Sequence, residues 1–114
     1  MSPIAPGASN GDDVSRQQQL ESAAQLVGNA AAHIVLYKDP SGVREALEYL
    51  GQAAIRITAR SWNDEELNRF RELALRRSAK EIQERTDESH GRKYDEAIAE
   101  AASLIEQFIQ QRML

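Results

Sequence analysis

Three observations predict an all-α protein folded as an antiparallel up-down four-helix bundle. Apolar residues recur at helical steps from Val14 to the C-terminus, Asp39-Pro40 breaks that pattern, and Asn63 to Leu67 carry a reciprocal capping pattern. No stretch alternates apolar and polar residues as a half-buried strand does. The 114 residues are 41% hydrophobic and 28% charged, which suits one small soluble domain.

Residues 1–13, MSPIAPGASNGDD, combine proline, glycine, serine and asparagine around one large apolar side chain, Ile4. That composition buries too little surface to offset ordering entropy and predicts a flexible tail preceding a single domain over 14–114. It has neither a basic start nor an apolar stretch, so it does not read as a secretory signal.

Helix one is predicted over 14–37. Leu20, Val27 and Ile34 form one apolar row, and Leu26, Ala30, His33 and Tyr37 form a second beside it. The combined arc, roughly half the circumference, is wider than one packing partner needs. Helix one is therefore either central or in contact with another chain.

Asp39 and Pro40 end this helix and start the next, as cap and first position. Helix two is predicted over 40–60, with Val43, Ala46, Leu47, Leu50, Ala53, Ala54 and Ile57 facing inward. Gly51 and the alanines predict close packing from Leu50 to Ala54. Trp62-Asn63-Asp64-Glu65-Glu66-Leu67 then opens helix three: Asn63 caps, Glu66 bonds back, and Trp62 staples against Leu67. That helix continues to about Asp87, with Glu65, Glu72 and Glu81 each four residues ahead of an arginine. Ser89 and Gly91 mark a break. Helix four follows over 92–112, with Tyr94, Ile98, Ala101, Ile105 and Phe108 as its inward stripe.

The formal net charge is -4 and there is no cysteine. This excludes disulfides, a cysteine nucleophile and thiolate metal sites, and it fits a reducing compartment, with the cytoplasm as the expected location. No run approaches the roughly 18 apolar residues of a membrane span. Residues 56–93 hold ten basic and eight acidic groups, a near balance that argues against a strong phosphate-binding surface. Arg69, Arg76 and Lys80 form an external row that could contact phosphates, though interleaved glutamates favour a solvated, salt-bridged face.

Metal and cofactor chemistry finds little support. The chain has no Glu-x-x-His pair of the di-iron kind. Glu45-x-x-Glu48 and Glu84-x-x-Asp87 are similar to the carboxylate pairs of all-α nucleotide pyrophosphohydrolases, but Glu45 and Glu48 lie opposite the Leu50, Ile57 stripe. His33 sits among apolar neighbours, unlike a phosphoryl acceptor, which faces solvent beside a cation. No metal and no cofactor is expected.

Arg85 and His90 are a different matter. By helical angle Arg85 falls on the side of Phe70, Ala74 and Ser78, where an unpartnered arginine is costly. An arginine and a histidine sharing a groove can bind a phosphodiester, stabilise its developing charge and move a proton without a metal. Arg85-Thr-Asp-Glu-Ser-His90-Gly91 resembles the Arg-x4–6-His motif of the HEPN superfamily. Residues 44–56, REALEYLGQAAIR, resemble the Leu-Glu-x-Ile-Gly-Glu-Ala-Ala helix of its toxin branch. That resemblance implies a helical-bundle dimer with its motifs facing across the interface, cleaving RNA with Arg85 and His90 as catalytic residues.

The leading expectation is instead a non-enzymatic bundle, a subunit, adaptor or inhibitor acting by protein–protein association. Its expected partner is a second copy or a larger complex, met through Leu26, Ala30, His33 and Tyr37. RNA is the partner under the alternative.

Overall fold

A computed structural model describes residues 4–57, 61–85 and 91–114, with side chains from Val14 onward save those at 91 and 92. It consists of four helices, α1 (Ile4–Leu36), α2 (Pro40–Ile57), α3 (Asp64–Arg85) and α4 (Gly91–Arg112). There is no strand among the described residues, and no helix there is long and apolar enough to cross a membrane.

The helix starts follow from local chemistry. Asp39 Oδ1 accepts the Gly42 N–H at 2.9 Å, so the cap at Asp39 and Pro40 in the first turn start α2 as expected. At α3 the capping box is complete: Glu66 N–H donates to Asn63 Oδ1 at 2.7 Å and Asn63 N–H to Glu66 Oε1 at 3.0 Å. Two N–H groups that the helix geometry leaves without partners are thereby satisfied. The start of α1 differs from expectation, because the helix reaches back to Ile4. Pro6 is compatible with this, since the first turn has no N–H bond for a proline to remove.

Packing is organised around α1, which lies against each of the other three helices; α3 and α4 also pack together, whereas α2 packs on α1 and only marginally on the rest. The wide apolar arc of α1 thus belongs to a central helix. Its buried surface is mostly small: Ala23, Ala24, Ala30, Ala31 and Ala32 accompany Leu20 and Val27. Small side chains let the neighbouring helices approach closely. Gly28 marks a close approach of α3, where an added Cβ would lie 2.5 Å from the Ala74 carbonyl oxygen and 2.7 Å from Arg77 Cβ. There the Ser78 hydroxyl donates to the Gly28 carbonyl at 2.6 Å, which satisfies the one fully buried polar side chain among the described residues.

Larger side chains fill the space between α3 and α4, where the Phe70 and Phe108 rings stack with centroids 5.8 Å apart among Ile82, Ala101, Ile105 and Ile109. Polar ties fix the register. Arg16 bonds Glu66 at 2.7 and 3.0 Å, donates to the Ser61 carbonyl and lies 4.4 Å from the centroid of the buried Trp62 ring. Arg71 forms a bidentate pair with Glu106, its Nε at 2.7 Å and Nη2 at 2.8 Å. Hydrogen bonding from Arg16, then from the Asn63 backbone, holds the Glu66 carboxyl below its ordinary range, and Arg71 does the same for Glu106.

Two outcomes follow. Gly28→Ala lowers stability by about 1–3 kcal/mol in urea unfolding, because backbone must move to admit the methyl group. A carboxylate held low when folded lends stability above the unfolded value of about pH 4.3 and loses it as pH falls through the folded value. Urea midpoints therefore drop between about pH 5 and pH 3, and they drop less steeply in Glu66→Gln.

Candidate functional site

A polar and aromatic cluster forms where α1 hands over to α2. The last turn of α1 carries His33, and the helix closes with Tyr37 N–H donating to the His33 carbonyl at 2.8 Å. The chain then doubles back so closely that a Cβ at Gly42 would stand 2.5 Å from Tyr37 Cβ. This places the first turns of α2 over the aromatic end of α1. His33 lies between Tyr37 and Tyr49, at ring distances of 5.3 and 5.5 Å.

Its Nδ1 sits 3.0 Å from the Asn29 carbonyl, an acceptor, so that nitrogen carries the proton. Nε2 faces Glu45 at 3.7 Å, beyond hydrogen-bond reach. The Tyr49 hydroxyl donates to Glu45 at 3.0 Å. That bond, then burial, then the charges of Glu45, Glu48 and Glu81 raise the phenol above its ordinary value. A cleft of about 270 Å³ opens beside the cluster, lined by His33, Tyr37, Asp39, Ser41, Gly42 and Glu45. Asp39 is engaged in capping and Glu45 in holding Tyr49, so the cluster acts as a tie between α1 and α2.

Arg85 joins this region. It is exposed at the end of α3, and its guanidinium carbon lies 5.9 Å from the Tyr37 ring centroid. The position expected among Phe70, Ala74 and Ser78 is not observed: those three are buried, whereas the terminal turn leaves Arg85 free to extend outward. His90 and the expected cap Ser89 lie outside the described residues. Among the described residues, no group of three or more histidines and carboxylates is placed to hold a metal ion.

The basic row is largely compensated. Arg69 pairs with Glu21 of α1 at 2.7 Å and Arg76 with Glu72 at 2.5 Å. Arg77, beside them, bonds Asn29 at 2.7 Å and Glu81 at 2.9 Å. Of the three four-residue pairs expected on α3, Glu72–Arg76 is present, while Arg69 and Glu81 have partners elsewhere. Arg76, Arg77 and Lys80 line a shallow cleft of about 200 Å³ with Gln25 and Leu73.

The four residues singled out on α1 divide. Ala30 is fully buried, and Leu26, His33 and Tyr37 are half-buried. His33 and Tyr37 meet α2 of the same chain. Three of the five large apolar side chains that stand exposed among the described residues lie instead on α2, where Val43, Leu47 and Ile55 are 38%, 60% and 77% exposed. This corrects the inward assignment of Val43 and Leu47. Because α2 packs almost wholly on α1, only Gly42, Ala46, Ala53 and Ile57 are buried along it, and the next side chains round the helix are left open. Beside them runs an apolar groove of about 100 Å³, with Val27, Ala31 and Ile34 of α1 along the bottom, Leu50 on one wall, and Leu104 and Phe108 on the other. Gln107 and Gln111 edge it. The sequence did hold a signal for this face, since Val43, Leu47, Gly51 and Ile55 recur at steps of four.

Comparison with known proteins places the chain in no family. No family model matches it, and neither a curated protein nor a solved structure is significantly similar.

The Tyr49 tie gives a direct check. Ultraviolet titration of the phenols should show one tyrosine ionising above the ordinary value near 10, and Glu45→Gln should bring it back down. Because the folded chain retains that proton, the contribution to stability is complete below the unfolded value and is lost as pH rises through the folded one.

Proposed function

We propose that this protein is a non-enzymatic association module, a helical subunit or adaptor that docks another polypeptide through the outer face of α2 and the adjoining groove. One observation carries the reading: Leu47 and Ile55, both large and apolar, stand mostly exposed on a single row of one helix, beside a groove with apolar walls. Large apolar side chains left open along one helix face, next to an apolar groove, mark interaction sites. The docking surface so inferred replaces the α1 row, part of which α2 covers. The cytoplasm remains the expected setting.

The reading includes an antiparallel up-down arrangement of the helices. Tyr37 lies beside Gly42 and His33 beside Glu45, so α2 runs back along α1. Arg16 meets Glu66 and Glu21 meets Arg69, so α3 runs with α1. Lys38 meets Glu100 at 2.9 Å while Val27 shares the groove with Gln111, so α4 runs back again. This order of directions supports the bundle predicted from short connections.

Size-exclusion of native extracts tests the reading. The chain is expected in a species larger than a monomer, and Leu47→Asp or Ile55→Asp returns it to monomer size with thermal stability unchanged. Monomer migration of the unaltered chain, or indifference to both substitutions, overturns it. The competing reading, metal-independent RNA cleavage by Arg85 and His90, replaces it if purified protein cuts RNA in chelator and Arg85→Ala and His90→Ala each abolish the cut.

A further inference from the structure

Gly51 has no structural reason within its own chain. It sits inside α2, where glycine is a poor helix former, and the close packing expected around it is not found: the residue is exposed and an added Cβ would meet nothing within 4 Å. Gly28 and Gly42, by contrast, are both pressed against neighbouring atoms. What distinguishes Gly51 is its row. Val43, Leu47, Gly51 and Ile55 follow one another at four-residue steps, a ridge of the kind through which helices pack on each other. The ridge is large, large, empty, large, with Leu47 and Ile55 standing on either side of the gap.

We propose that the occupant of this face is a second copy of the same chain, in a two-fold dimer in which Leu47 of each protomer seats in the notch at Gly51 of the other. This inference rests on the docking surface proposed above and names its partner. Two-fold symmetry requires one surface to carry both halves of every contact. The ridge meets that requirement: with the axis midway between Leu47 and Gly51, Leu47 faces Gly51 and Val43 faces Ile55, and both contacts occur twice. Ridges of this type cross at about 50°, and a glycine at the crossing permits the backbones to come close.

Charge points the same way. The ridge side chains themselves are uncharged, Arg44 and Glu48 stand exposed beside them as one charge of each sign, and the groove is edged by Gln107 and Gln111, so the face as a whole selects neither an acidic nor a basic partner. A notched apolar ridge flanked by one charge of each sign is the complement it calls for, and α2 carries one.

Area fixes how much of the molecule takes part. The 18 residues of α2 extend roughly 27 Å and present a strip roughly 10 Å wide, or roughly 270 Å². A stable interface needs about 800 Å² from each partner. The ridge alone falls short, so the dimer also draws in the groove and the facing side of α4, giving an interface built of α2 and α4 from both copies. Interface area does not itself set affinity, so association is sought up to about 100-fold above a micromolar Kd.

Sedimentation equilibrium of the purified full chain tests this, with three variants. The unaltered protein is expected to be dimeric, and Leu47→Asp to be monomeric. Gly51→Leu is expected to weaken the dimer by about tenfold or more while its melting temperature in the monomer holds or rises, since the new side chain meets nothing in its own chain and leucine favours the helix. The absence of cysteine makes a covalent check clean: mixing Leu47→Cys with Gly51→Cys gives a cross-linked dimer under mild oxidation, whereas Val43→Cys alone does not, its two copies being too far apart along the helices. A purified chain that stays monomeric at about 100-fold above micromolar concentration, or a dimer indifferent to Gly51→Leu, overturns the proposal. If native extracts still hold a larger species broken by Leu47→Asp, the docking surface stands and only the second copy is excluded; if they hold none, both fail.

Discussion

The small-residue surface of α1 is the constraint on which the rest of this structure depends. Five buried alanines and Gly28 along that helix let three neighbours approach it at once, and a chain this short has no other element able to serve as a shared core. The large side chains that give the interior its volume come mainly from the partners, with Phe70 and Ile82 on α3 and Phe108 and Ile109 on α4. Close approach and volume are thus supplied by different helices. The arrangement leaves little slack, because dense interiors respond to a single added methylene.

Having three neighbours around α1 determines what the surface looks like. Since α3 and α4 also pack on each other, they share their apolar faces, and the polar groups on their outer sides pair locally. The helix without a second neighbour is α2, and it retains apolar side chains in the open. The interaction surface is therefore a by-product of topology as much as of composition, for a helix of the same sequence lodged between two neighbours would cover Leu47.

What the sequence revealed was whatever depends on near neighbours. Asn63 with Glu66 and Asp39 with Pro40 can be read as caps because their partners lie within four residues, and the stripe Ala101, Ile105, Phe108 because its spacing matches one face. The outward turn of Val43 and Leu47 was not readable: periodicity shows that a helix has an apolar side and says nothing of how many helices meet it. Arg69 likewise chose Glu21 over Glu65 because a carboxylate on an adjacent helix reached it, and sequence spacing carries no record of such a rival. Arg85 was misplaced by treating the final turn as if it were helix interior. The site was legible only as a step-of-four row, whose meaning needed the knowledge that α2 has a single support.

That single support also orders the ways in which the molecule can come apart. Proteins open in cooperative parts whose cost reflects how much packing each must surrender. The trio α1, α3 and α4 is joined pairwise, each helix packing on both of the others. Detachment of α2 leaves all three pairwise contacts of that trio intact, and it is opposed by the seat of α2 on α1 and by the His33, Glu45, Tyr49 cluster at one end. Whatever covers its outer face raises the cost of that detachment by mass action, so partner binding and local order in α2 are two readings of one equilibrium.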